Sequence, residues 1–317
     1  MTSSVRKDSL SIVVPVYNSE GSLPLLISAL EPVLASHSRA YEVILVDDGS
    51  RDSSAKVIDS LSREKPWVRG ISLMRNYGQH NALLCGIRNA HHEVIVTMDD
   101  DLQNPPEEIP RLLSKLAEGY DVVYGAPEEE QHGLLRNLAS QVTKLTLQNA
   151  LGAETARRVS AFRAFRTDVR NAFATYRSPF VSIDVLLTWG TSRFAAIPVR
   201  HEPRRIGASQ YTVRKLLVHA ANMMTGFSTL PLQLASLVGF VFTLFGFGVL
   251  VFVLGSYVIR GAGITGFPFL ASIIALFSGA QLFALGIVGE YLARIHFRTM
   301  ERPTYVSRPD RHANASP

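Results

Sequence analysis

The chain of 317 residues has a single cysteine, Cys85. No disulfide can form within it, which fits a reducing compartment and a core-filling thiol. Charge is missing from two long stretches. No Asp, Glu, Lys or Arg occurs from Leu216 to Ile259, and none occurs from Gly261 to Gly289. A bilayer span takes about 20 mostly apolar residues. Two neighbouring uncharged runs of this length are rare among buried helices of soluble domains, so membrane spans are expected near residues 232–259 and 267–292. Glycine fingerprints are absent too. No G-x-G-x-x-G follows the first strand, and no G-x-x-x-x-G-K-S/T occurs, which argues against dinucleotide binding and P-loop ATP hydrolysis. Without C-x-x-C or H-E-x-x-H there is no zinc pattern. Residues 1–9 are polar and residues 11–16 are too short and β-branched for a secretory signal, so the N-terminal two-thirds is expected in the cytoplasm.

The net charge is +5, and its distribution carries more than its sum. Arg193, Arg200, Arg204, Arg205, Arg214 and Lys215 precede the first span, and Arg294, Arg298 and Arg302 follow the second. Only Arg260 lies in the connection. The positive-inside rule then puts both flanks in the cytoplasm and residues 260–266 outside, with the collar against anionic headgroups. No basic run is interleaved with aromatics, so nucleic acid is not an expected partner. Gly239, Gly246, Gly248, Gly279 and Gly286 in the spans permit close helix packing.

Ahead of the spans, short β-branched runs alternate with helical patterns. Strands are expected at 11–16, 42–46, 68–74, 93–98, 121–124, 161–165 and 194–199. Helices are expected at 22–36, after Asp52, at 79–90, from Pro106, and at 133–151. The strands are nearly unbroken apolar runs, which predicts a doubly wound, mostly parallel α/β sheet covered on both faces. Residues 211–225 (YTVRKLLVHAANMMT) read as an amphipathic helix in the headgroup plane, or as an ordinary domain helix. The expected organisation is a cytoplasmic catalytic domain over 1–210, an interfacial helix over 211–230, a two-helix hairpin over 231–295 and a tail over 296–317.

Open α/β sheets bind ligands outside the carboxyl ends of their strands, and acids gather there. Asp47 and Asp48 close the second strand; Asp48-Gly49-Ser50 alone reads equally as a turn with a helix cap. Asp99-Asp100-Asp101-Leu102-Gln103 closes the fourth. Alternate residues of an extended segment point the same way, so Asp99, Asp101 and Gln103 would offer three oxygen ligands with Asp100 facing away. Such ligands suit Mg²⁺ or Mn²⁺, which also holds substrate phosphates. The other reading is a loop without a cofactor. His80 is a further candidate, in a polar turn after the third strand.

The chain resembles family 2 glycosyltransferases of the GT-A fold, within them the polyprenyl-phosphate glycosyltransferases. The resemblance is carried by VVPVYN (13–18), VDDGS (46–50), RNYGQH (75–80), DDDLQNPPEEIPRLL (99–113), EGYDVV (118–123), FRAF (162–165), R-x-x-G-x-S-x-Y (204–211) and GEYLARI (289–295). It is nearest to the undecaprenyl-phosphate 4-deoxy-4-formamido-L-arabinose transferases. It implies transfer of one sugar from a nucleotide-sugar to a polyprenyl phosphate at the cytoplasmic membrane face, with inversion, Mg²⁺ or Mn²⁺, and a homo-oligomer such as a tetramer. By the same resemblance Pro15, Tyr17, Glu20, Asp48, Asp99 and Asp100 would bind the nucleotide-sugar. Asp99, Asp101 and Gln103 would hold the metal, and Asp101, Arg163 and Arg204 would carry catalysis. Arg204, Arg205, Ser209 and Tyr211 would receive the acceptor phosphate.

Three departures stand out. Ser19 takes the place of the family's acid after Asn18, and the acid follows at Glu20. Gln210 replaces a Lys before Tyr211, with Arg205 as the nearby substitute. Residues 157–160 (RRVS) hold no acid before the Phe162-Arg163 pair, so no general base is expected there. The rivals are a GDP-mannose enzyme like the dolichyl-phosphate mannose synthases, a processive synthase, and a non-catalytic nucleotide-sugar scaffold. Neither Trp67 nor Trp189 follows an Arg, which counts against the processive synthase's Q-x-x-R-W. The DxDLQ run counts against the scaffold.

Overall fold

The computed structural model describes residues 7–127, 158–178, 180–203, 230–260, 266–300 and 302–309. They fall into two compact units, 7–203 with 302–309, and 230–300. The helices expected at 133–151 and 211–225 lie outside the described residues.

In the first unit the apolar runs become strands where both faces are covered. β1 (Leu10–Val16) is buried throughout, as is β4 (Val94–Thr97). With β2 (Tyr41–Asp47) and β3 (Val68–Ser72) they form the parallel half of the sheet. The other half holds β5 (Val122–Pro127), β6 (Arg163–Arg166) and β7 (Phe194–Val199). The order is β3-β2-β1-β4-β6-β5-β7. β5 and β7 are parallel, and β6 runs antiparallel between β4 and β5. All seven expected strands are present. The order reverses between β1 and β4, and the crevice outside the carboxyl ends at such a reversal is where α/β sheets take ligands.

Helices connect these strands. α1 (Leu23–His37) and α4 (Ile109–Ala117) bury Leu26, Leu30, Leu112 and Leu116 in one core with Ile12, Val14 and Val96. α2 (Ser54–Glu64) adds Ile58 and Leu61. α3 (Gln79–Asn89) presses on the sheet at Gly86, where an added Cβ would come within 2.3 Å of Val13 Cγ1 and 3.1 Å of Val46 Cγ2. Its Cys85 is buried, and burial pushes the thiol pKa up to about 11. The region between β6 and β7 is a 3-10 segment (Thr167–Phe173) and the short α5 (Ile183–Thr188).

The second unit consists of α6 (Leu230–Arg260) and α7 (Phe267–Thr299). Both are long and apolar enough to cross a membrane. They expose Phe240, Phe252, Leu282 and Phe283 at 60–71%, more apolar surface than a water-facing helix pair carries. Within the pair, Phe277 meets Phe242 edge-on at 5.5 Å and stacks on Phe245 at 6.4 Å. Gly246 gives it room, because a Cβ there would lie 3.2 Å from the Phe277 ring.

The chain beyond α7 returns to the first unit. Leu73 and Ser307 form an antiparallel bridge at the free edge of β3, so the region expected only as a tail contributes to the sheet.

Replacing Gly86 by Ala forces α3 off the sheet. A loss of about 1–3 kcal/mol is expected for such overpacking, read as a lower melting temperature of the detergent-solubilised protein.

Candidate active site

The loops after β1, β2 and β3 are laced together by polar contacts. Asn18, held at φ 55°, accepts from Arg51 N at 2.8 Å, and its own N–H donates to Ser50 Oγ at 3.0 Å. Glu20 accepts from Ser53 N at 2.8 Å, and its own N–H donates to Asp52 at 3.2 Å. That engages Glu20 at the start of α2. Pro15 is buried within β1, while Tyr17 is half-buried just past its end.

The two acids ending β2 have different partners. Asp47 accepts from Ser50 N at 2.9 Å, which closes the turn. Asp48, 3% exposed, turns to the loop after β3, where Tyr77 N donates to Oδ1 at 2.7 Å and Gly78 N to Oδ2 at 2.8 Å. Burial raises the Asp48 pKa above the ordinary value, the two N–H groups oppose the shift, and the charge of Asp47 adds to it. Gly49 makes the approach possible. It sits at φ 71°, and a Cβ would fall 2.6 Å from the Arg75 carbonyl carbon. The Arg75 guanidinium covers the Tyr77 ring at 4.5 Å. Each Asp48 oxygen retains a second lone pair, so the carboxylate can still accept from a ligand hydroxyl or base N–H.

At the end of β4, Asp99 and Asp100 are half-buried and Asp101 is buried. Asp99 Oδ1 accepts from Gln79 Nε2 at 2.7 Å, which links the β4 tip to the turn holding Asp48. The segment is not extended as the alternation argument requires. Leu102 lies at φ 60° and Gln103 N donates to Asp101 Oδ1 at 3.1 Å, so the chain turns back on itself. The turn arises because the Asp101 side chain competes successfully for a backbone N–H. Asp99, Asp101 and Gln103 all belong to this tip, on a turn rather than on a strand's period. Among the described residues, no three His, Cys, Asp or Glu side chains gather as a metal group. A pair of carboxylates with an amide is nevertheless a fitting set for a hard cation that takes its remaining ligands from substrate phosphates and water.

The chain after β7 is tied to this tip. Glu202 N donates to the Gln103 carbonyl at 2.8 Å. Buried Glu108 accepts from Arg200 Nε at 2.7 Å and Arg111 Nη1 at 2.5 Å. Burial would raise the Glu108 pKa, but the bonds and charges of Arg200 and Arg111 outweigh it and hold the pKa low. Arg204, Arg205, Ser209 and Tyr211 follow in sequence and lie outside the described residues.

Arg163 begins β6, level with Thr97 on β4 and Tyr124 on β5. It is 1% exposed, pairs with Asp184 of α5, and lies over the Tyr124 ring at 5.8 Å. Burial and the charge of Asp184 push the Tyr124 hydroxyl pKa well up. His80 Nδ1 lies 3.4 Å from Ile183 N, at the start of α5. Sequence reasoning missed Asp184 and Gln79. A carboxylate 21 residues beyond Arg163, within an apolar hexapeptide, carries no local signal. Gln79 stood inside the RNYGQH segment without a role.

A model of the glycosyl transferase family 2 domain matches residues 11–173. An undecaprenyl-phosphate 4-deoxy-4-formamido-L-arabinose transferase of Yersinia enterocolitica is 37% identical over 309 residues, covering 96% of this chain and 94% of that one. The like-named protein of Shewanella sediminis is 38% identical, covering 94% and 91%. The chain belongs to glycosyltransferase family 2. This family 2 enzyme has the GT-A fold. A glucosyl-3-phosphoglycerate synthase of Mycobacterium tuberculosis, solved with Mn²⁺, UDP and phosphoglyceric acid, superposes with a TM-score of 0.51 at 19% identity, over 69% of this chain and 76% of that one. A mannosyl-3-phosphoglycerate synthase of Rubrobacter xylanophilus gives 0.51 at 17%, over 68% and 72%.

Two measurements test these contacts. The Glu108 pKa is held below its ordinary 4.5, so its stabilisation is complete above that value and is lost as pH falls through the lowered one. The melting-temperature gap between the wild-type glycosyltransferase and Glu108→Gln is therefore expected to be full at neutral pH and to close in acid. Separately, Asp184→Ala strands a buried guanidinium and is expected to cost about 3–5 kcal/mol. Pairing it with Arg163→Met should recover most of that loss in denaturant titrations.

Proposed function

We propose that this glycosyltransferase moves one sugar from a nucleotide-sugar, UDP-linked in preference to GDP-linked, onto undecaprenyl or a related polyprenyl phosphate at the cytoplasmic membrane face. The observation that carries the reading is the 37–38% identity, over nearly the whole chain, to proteins named for transfer to undecaprenyl phosphate. The domain assignment in this reading is catalytic over 1–210, interfacial over 211–230 and a membrane hairpin over 231–295, with the region expected as a tail over 296–317 partly taken up by the end of α7 and by the pairing of 302–309 with the catalytic unit. Support for the sidedness comes from connectivity. Both ends of the two-helix hairpin join the same catalytic unit, as an even number of crossings requires, and arginines flank both outer ends.

In this reading Asp48 and Tyr17, beside Pro15, hold the nucleoside, and Asp99 and Asp100 face the diphosphate. Asp99, Asp101 and Gln103 would hold Mg²⁺ or Mn²⁺. The M. tuberculosis relative in fold was solved with Mn²⁺ and UDP. A cation bound there would neutralise charge on the departing nucleoside diphosphate. The acceptor needs no strong base, because a phosphate monoester loses its second proton near pH 6, with a pKa of about 6. Its oxygen attacks the anomeric carbon from the face opposite the diphosphate, the bond to the diphosphate breaks, and the configuration inverts. Arg204 and Arg205, with Ser209 and Tyr211, would grip the acceptor phosphate through paired N–H donors. Arg163, buried and paired with Asp184, would be the basic residue near the donor phosphates, at the start of β6. A homo-oligomer such as a tetramer is consistent with the small residues on the spans.

The test is a panel of radiolabelled UDP-sugars and GDP-mannose with undecaprenyl phosphate and Mn²⁺ or Mg²⁺, counting label in the organic phase. Transfer from a UDP-sugar is expected. EDTA should stop it, and Asp101→Asn should lower kcat by about a hundredfold or more, the scale on which lost charge stabilisation acts. Exclusive use of GDP-mannose would move the enzyme to the mannose-synthase reading, and near-normal turnover of Asp101→Asn would remove the metal role. Tight UDP binding with no transfer from any donor would leave a scaffold.

A further inference from the structure

The segment after α7 touches both sides of the turn that holds Asp48. On one side it pairs with the exit of β3, the free edge of the sheet. Met74 N donates to the Val306 carbonyl at 2.9 Å, and Arg308 N donates to the Ser72 carbonyl at 2.7 Å. These two bonds flank the Leu73–Ser307 bridge. On the other side the segment meets α3, where the Arg88 guanidinium lies 5.9 Å from the Tyr305 ring centroid. The Tyr305 hydroxyl stands beside Arg88 and Cys85, and Thr304 is buried.

Residues 75–78 and the first turns of α3 connect these two contacts, because Tyr305 meets α3 at Cys85 and Arg88, towards the helix's C-terminal end. The turn leaves the strand edge that the segment pairs with and enters the helix whose later turns Tyr305 meets. Within the turn, Tyr77 N and Gly78 N are the donors to Asp48. A turn set between a pinned strand exit and a pinned helix loses less conformational entropy when its site binds a ligand.

We propose that residues 302–309 are a positioning strap for the donor site: they clamp β3 and α3 and thereby fix the turn that aims Asp48 at the nucleotide. This rests on the reading of Asp48 as a nucleotide contact. The strap itself touches no substrate, so its loss should appear in donor affinity rather than in the chemical step.

The full-length protein in detergent is titrated with UDP in the presence of Mn²⁺, and donor KM and kcat are measured alongside. Arg308→Pro removes the N–H that reaches Ser72, while Arg308→Ala keeps it. Tyr305→Ala removes the contact with α3. Arg308→Pro and Tyr305→Ala are expected to weaken UDP binding and raise donor KM about three- to tenfold, the range one or two backbone hydrogen bonds carry, with kcat within about twofold. Arg308→Ala should bind like the wild type. Met74 and Val306 are exposed and face each other across the pair, at a spacing a disulfide can span. Oxidising Met74→Cys/Val306→Cys should form a link within one chain and restore UDP affinity in the Arg308→Pro background, which a general folding defect would not allow. Should Arg308→Pro fail to fold, Tyr305→Ala and the cysteine pair carry the test. Wild-type UDP affinity in both Arg308→Pro and Tyr305→Ala, while Asp48→Asn is impaired, would overturn the strap alone. A disulfide formed only between chains would also overturn it. Unchanged UDP binding in Asp48→Asn would instead sink the donor-site reading, and the strap with it.

Discussion

Two backbone N–H groups aimed at one buried carboxylate hold the carboxyl edge of this sheet together. Asp48 leaves β2 and is bound by Tyr77 and Gly78, so a side chain from one crossover fixes the backbone of the next. A buried carboxylate without such donors would be costly enough to take up a proton instead. With them the acid is held in one orientation. Gly49 is needed for the same reason, since the β2 loop and the Arg75 backbone approach too closely for any side chain.

From that point a chain of polar contacts runs along the crevice. Gln79, next to the Asp48 donors, holds Asp99 at the β4 tip. The turn at Asp101 offers the Gln103 carbonyl to Glu202, and Arg200 is fixed by Glu108 close by. Across the crevice, Arg163 and Asp184 form a pair that packing alone could replace with apolar groups at little loss. Positions that would bind a donor and a cation thus come from separate crossovers and are joined by hydrogen bonds rather than by a continuous apolar core.

Much of this was legible in the sequence, for physical reasons that also mark where legibility ended. Unbroken runs such as SIVVPV and EVILV can only be strands covered on both faces, and they were read to within a residue or two. The two long apolar helices were legible because a water-facing helix rarely goes so many residues without a charge. The direction of β6 was not legible: RAFR is four residues long, and antiparallel insertion between β4 and β5 is decided by tertiary pairing. The geometry at Asp99–Gln103 was misjudged because alternation assumes an extended chain, and the Asp101 carboxylate captures a backbone N–H that ends it. Asp184 stayed hidden because its partner lies far away in sequence. The return of the chain to β3 after α7 gave no signal either, since two hydrogen bonds and a bridge need no apolar run.

The lone thiol has a practical consequence. Cys85 is buried on α3, and its pKa of about 11 keeps the reactive thiolate scarce at neutral pH. Maleimides, spin labels and fluorophores should therefore pass over the native chain. Probes can be attached at chosen surface positions without first removing a cysteine, so distances within the working enzyme in a bilayer become measurable on an otherwise unaltered sequence.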